Sequence, residues 1–98
     1  MARSPLVYTH TTAPMTTASA TVVAAKNKRD YLLIINDGTV VCYLKLGVTA
    51  VVNEGIRLSA NGGSYEMSRE VGNLFQGAIN GLTASGTATL LITEGTSY

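Results

Sequence analysis

The sequence predicts an all-β protein, a single antiparallel β-sandwich with an extended N-terminal arm. Three observations carry this. Tyr31-Leu32-Leu33-Ile34-Ile35 is an unbroken apolar run between a basic loop and Asn36-Asp37-Gly38, too short for a helix and readable as a strand covered on both faces. Val40 to Leu46 alternates with period two. Turn residues then recur at short intervals, so about seven short strands fit, with jelly-roll or immunoglobulin-like connections both open.

Residues 1–18 hold five threonines (Thr9, Thr11, Thr12, Thr16 and Thr17) and two prolines, with few core-forming residues. This reads as an arm, and residues 19–98 as the sandwich domain. Thr21 to Ala25 is the first expected strand and Tyr31 to Ile35 the second. Asp37-Gly38 fits a two-residue hairpin turn in which both positions take positive φ. The returning strand places Val40, Cys42, Leu44 and Leu46 on one face and Val41, Tyr43 and Lys45 on the other. Ile56-Arg57-Leu58 turns at Asn61-Gly62-Gly63 into Ser64 to Met67, a second expected hairpin. Glu70 to Gly77 reads as a turn or single 3₁₀ segment crossing between sheets, with Leu74 and Phe75 plugging one end of the core. Ala78 to Ala84 makes a strand in which a β-bulge would return Ile79 and Leu82 to one face. In the terminal strand, Thr87 to Thr93, Ala88, Leu90 and Ile92 share a face.

Composition bounds the function. A chain of 98 residues allows one modest core and leaves much surface exposed. Charged residues make up 13% of it, against roughly 25% in ordinary soluble domains. Such a surface suits burial against partners, and homo-oligomers are expected. A net charge of +1 supplies no long-range field for nucleic acid or anionic lipid, so neither is an expected partner. No apolar run approaches the roughly 18 residues of a membrane span, and the N-terminus has no signal-peptide pattern, so a soluble protein made in the cytoplasm is expected.

Chemistry finds little to work with. His10 is the one histidine and Cys42 the one cysteine, which argues against a triad, a disulfide or a zinc site. The six acids are scattered over separate loops, and the glycine pairs match no phosphate-binding pattern. No catalytic residue, metal ligand or cofactor is therefore expected. Lys26, Lys28 and Arg29 form the one basic cluster; they either solvate a loop between strands or meet an acidic patch on a partner. Tyr8, Tyr31, Tyr43, Tyr65 and Tyr98 are contact candidates because tyrosine is enriched at interfaces, though packing explains Tyr31 and Tyr43 as simply.

The segment Ala24 to Asn36, with Arg29, Tyr31-Leu32-Leu33-Ile34 and Asn36, resembles a pattern in small virion proteins of tailed bacteriophages, where an Ala-Asn-Pro-x-Arg loop leads into a Tyr-Leu-Leu-Ile-Gln-Asn strand. Leu44 to Gly47, Gly55 to Leu58, Gly62 to Glu66, Gly77 to Ile79 and Thr93 to Gly95 are similar in the same order, together covering roughly residues 18–95. The chain departs at Asn27, where proline is usual, and at Ile35, where glutamine is usual. The second change makes the strand more apolar and favours a subunit contact.

The resemblance implies a virion structural protein that decorates or cements a capsid, with the major capsid protein and further copies of itself, as a trimer, for partners. A small head-fibre, neck or tail component, or a receptor- or carbohydrate-binding fibre module, is the alternative. The expected interface comprises Tyr8, Lys26, Lys28, Arg29, Tyr31, Ile35 and Tyr65. The arm is expected to lie on a neighbouring subunit or the shell rather than on its own domain.

Overall fold

The computed structural model describes residues 6–97. Its eight strands are β1 (Val7–Met15), β2 (Ala20–Val23), β3 (Arg29–Asn36), β4 (Cys42–Leu46), β5 (Ile56–Leu58), β6 (Ser64–Ser68), β7 (Ile79–Thr83) and β8 (Ala88–Thr96). They form two four-stranded antiparallel sheets, β1-β8-β3-β6 and β2-β7-β4-β5, in a sandwich-like arrangement. Among the described residues there is no helix.

The core lies between the sheets. Ala13, Met15, Leu32, Ile34, Met67, Ala88, Leu90 and Ile92 enter from the first, and Val22, Cys42, Leu44, Leu58 and Ile79 from the second. A large aliphatic side chain buried this completely stabilises the fold by about 1.5–3 kcal/mol. Cys42 is fully buried, and burial pushes its thiol pKa up, as suits a small core hydrophobe. Leu74 and Phe75 pack against the core from the Glu70 to Gly77 crossing, as the sequence suggests.

The eighth strand comes from the expected arm. Val7–Met15 pairs without a register break along β8, from Val7 opposite Thr96 to Met15 opposite Ala88. Ala13 and Met15 reach the core, so the segment is a sheet strand of its own domain and not a detached arm. Its threonines suit a strand with little cover: Val7 to Thr12 are exposed on both faces. The arm's first five residues lie outside the described ones.

Neither expected hairpin forms, because the flanking strands belong to different sheets: β3 to the first and β4 to the second, β5 to the second and β6 to the first. At Asn61 (φ 60°) and Gly62 (φ 114°) the chain still makes the expected reversal. Asp37 and Gly38 do not take positive φ. The buried Asn36 organises that crossing instead: its Nδ2 donates to the carbonyls of Val40 (2.8 Å) and Leu58 (3.2 Å), and its Oδ1 accepts from the Gly38 N–H (3.0 Å). Glycine is needed at 38 because a Cβ there would sit 2.5 Å from the Ala88 Cβ and 2.9 Å from its Cα. Gly38→Ala should therefore cost about 1–3 kcal/mol, with a melting temperature lower by about 4–8 °C per kcal/mol. Adding Ala88→Gly should restore part of the loss. An unchanged melt for Gly38→Ala would mean that this loop does not rest on β8.

The bulge also falls elsewhere. β7 pairs with β4 in regular register, whereas the shift lies in β2 between Thr21 and Val23. Ile79 therefore faces the core, and Leu82 joins Tyr43, Ala50 and Val41 in a small cluster on the outer face of the second sheet.

Arg29 is the largest fully buried side chain. Its Nε donates to Glu94 Oε2 (2.7 Å), Nη1 to the carbonyls of Phe75 (2.8 Å) and Gly77 (3.0 Å), and Nη2 to that of Ala24. One guanidinium thus ties β8 to two crossings between the sheets.

Candidate interaction face

The two outer faces differ. That of the second sheet is covered by its own loop, residues 47–55, pinned by the Ala50 N–H to Ser19 Oγ (2.9 Å), Asn80 Nδ2 to the Val48 carbonyl (2.8 Å) and the Tyr43 hydroxyl to Asn53 Oδ1 (2.9 Å). On the first sheet, the register of β1, β8, β3 and β6 sets three rows on the side away from the core. They are Tyr8, Gly95, Tyr31 and Ser68; His10, Thr93, Leu33 and Glu66; and Thr12, Leu91, Ile35 and Ser64. Leu33 and Ile35 are half-buried, and Leu91 is exposed. The middle of this face is apolar and its rim polar.

Sequence accounts for each row. In β3, Leu32 and Ile34 point inward while Tyr31, Leu33 and Ile35 point outward, so the apolar run is not equally covered on both sides. Gly95 leaves room for the tyrosine beside it: a Cβ there would lie 2.9 Å from Tyr8 Cε1. Tyr8 consequently meets Tyr31 edge to face across β8, with ring centres 6.2 Å apart and planes at 75°. His10 Nδ1 lies 3.1 Å from Thr93 Oγ1. His10, Thr12, Ile35, Leu91 and Thr93 border a shallow depression of about 310 Å³.

The Tyr31 hydroxyl donates to Glu66 Oε2 at 2.6 Å. That bond, then burial, then the nearby Glu66 charge push the Tyr31 pKa up to about 12 from an ordinary value near 10. A raised phenol pKa means that the folded state holds the proton more tightly than the unfolded chain. The stabilisation is complete below about pH 10 and lost as pH rises through about 12. An ultraviolet titration of the folded protein should show one tyrosine ionising near pH 12, absent in Tyr31→Phe. An identical titration curve in that variant would remove the hydrogen bond from this account.

Of the expected interface residues, Tyr8, Tyr31 and Ile35 come together here. Lys26 and Lys28 are exposed in the loop before β3, and Lys26 pairs with Glu94 at 3.1 Å. Arg29 is a correction: it is fully buried within its own domain and holds strands together, so it is not part of this face. Tyr65 is half-buried, lies opposite Ile34 on the inner side and packs against the core, so it stands apart from this face. Tyr98 lies outside the described residues. Leu33, Leu91, His10 and Thr93 are not among the expected interface residues; placing them needs β8 set between β3 and β1.

Among the described residues no three His, Cys, Asp or Glu side chains gather into a possible metal site, and no helix is long and apolar enough to cross a membrane. Comparison with protein-family models, curated proteins and solved structures finds no match.

Proposed function

We propose that this chain is a virion structural protein of a tailed bacteriophage, made in the host cytoplasm, that decorates the capsid and cements it by binding across junctions of the major capsid protein. The observation that carries the reading is the uncovered, apolar-centred face of the first sheet on a charge-poor sandwich. Burying Leu33, Ile35 and Leu91 against a shell would gain about 25 cal/mol for each Å² removed from water, repeated over many copies, with no reaction involved. We read the strand orders β1-β8-β3-β6 and β2-β7-β4-β5 as a jelly roll, an architecture used by capsid and lectin domains. A fold of itself assigns no activity, so the face and the ordered resemblance across roughly residues 18–95 are what support the assignment.

A second reading, a carbohydrate-binding fibre module, has one observation in its favour: Tyr8 and Tyr31 stand among the polar groups His10, Thr93 and Glu66. Against it, the rings meet at 75° and form an edge rather than a flat stacking platform.

Adding purified protein to particles that lack it, and counting bound copies, separates the readings. Decoration expects hundreds of copies per shell, weakened at least about tenfold by Leu91→Lys, whose exposed site leaves folding intact. Binding of a few copies at a neck, tail or fibre, or binding to glycans alone, would overturn it.

A further inference from the structure

A sandwich of two open sheets has four edge strands, and three of these are guarded. β5 has three residues and carries the exposed Arg57; β2 has four and is bulged. β6 has its free edge occupied, since Asn73 Nδ2 donates to the Glu66 carbonyl (3.0 Å) and Asn73 Oδ1 accepts from the Ser68 N–H (3.0 Å). Short length, bulges, charge and cover are the ordinary means of keeping an edge from pairing with another chain. β1 differs on each count: it runs nine residues in unbroken register, without a bulge, lysine, arginine or carboxylate. Its one guard, Pro14, stands near its C-terminal end.

We infer that β1 is a self-association edge, pairing antiparallel with β1 of a second copy about a two-fold axis at His10, so that two first sheets become one continuous eight-stranded sheet. The register follows from the sequence. An axis perpendicular to the sheet keeps inner and outer faces matched, and centring it on His10 pairs Val7 to Ala13 in full while leaving Pro14 beyond the contact. Thr9 then stands opposite Thr11, Tyr8 opposite Thr12 and Val7 opposite Ala13. Threonine pairs are favourable across strands, and no lysine, arginine or carboxylate meets its like; His10 stands opposite itself on the axis. The strand is thus complementary to itself, as a two-fold contact requires. Seven paired residues bury less than the roughly 800 Å² per partner of a standard interface, so the dimer is concentration-dependent. The inference stands apart from shell decoration and is tested without particles.

His10 is exposed and sits on the axis, where a substituted charge meets its own copy. Sedimentation of the wild type at sub-millimolar concentration should show monomer and dimer in exchange, and amide exchange from Val7 to Ala13 should slow as concentration rises. His10→Lys and His10→Glu should each weaken the dimer by about fivefold, and an equimolar mixture should recover it as a heterodimer. Should either variant fail to fold, its partner and the amide exchange of the wild type still decide. A wild type that stays monomeric, a trimer, or an association that neither charge changes would overturn the inference.

Discussion

Replacing Arg29 with methionine should leave the protein mostly unfolded at physiological temperature. The substitution strips a partner from Glu94, which is 5% exposed, and removes the donors to the Ala24, Phe75 and Gly77 carbonyls. Breaking a buried ion pair from one side costs about 3–5 kcal/mol, because the remaining charge stays out of water. Lys26 lies 3.1 Å from the other Glu94 oxygen and softens this loss, but its half-exposed ammonium reaches none of those carbonyls in the bonds described. Losing the hydrogen bond to each of these part-buried carbonyls adds about 0.5–1.5 kcal/mol. A domain of this size has only about 5–15 kcal/mol to lose. Arg29→Lys keeps the charge and loses the fork, so it should fall between the two. A methionine variant that melts within about 3 °C of the wild type would show that this network is not what joins β8 to the crossings.

Deleting residues 7–15 should abolish folding. The deletion removes Met15 and Ala13 from the core and bares β8 along its whole length. Loss of a buried methionine to alanine alone costs about 2–5 kcal/mol, and here the backbone pairing is lost too. The inner residues Ala88, Leu90 and Ile92 would then lie on an unguarded edge, a template for aggregation. Circular dichroism should show a disordered or aggregated chain. A soluble, cooperatively melting truncation would return the segment to the status of an arm that the sequence suggests.

What the sequence disclosed was alternation, and what it hid was partnership. The inner faces of β4 and β8 were legible because Cys42, Leu44, Ala88, Leu90 and Ile92 fall on period two, with Tyr43, Thr89 and Leu91 between them turned to the other face. β1 was not, because a strand that is exposed over Val7 to Thr12 needs no apolar pattern; β8 supplies its structure from eighty residues away. Both hairpins failed for one reason: Asp37-Gly38 and Asn61-Gly62-Gly63 signal a reversal, and a reversal can pass to the facing sheet as well as to a neighbour. Arg29 was misread because a basic residue beside Lys26 and Lys28 looks like loop solvation until Glu94 is placed beneath it. For the same reason the sequence points to only Tyr8, Tyr31 and Ile35 of the interaction face. Leu91 and Thr93 join them only through strand order.

The position of β8 also sets a timetable. It lies between β1 and β3, pairing with both, yet it follows them by more than fifty residues in the chain. During synthesis β1 and β3 leave the ribosome with their common neighbour still unmade, and Arg29 waits for the carboxylate that will neutralise it. Long-range closure of this kind makes folding slow, on the millisecond-to-second scale of sandwiches. The first sheet therefore assembles as a late and concerted event. Until residues 88–96 have emerged, the unpaired β1 is kept from sticking by its threonine-rich, apolar-poor sequence.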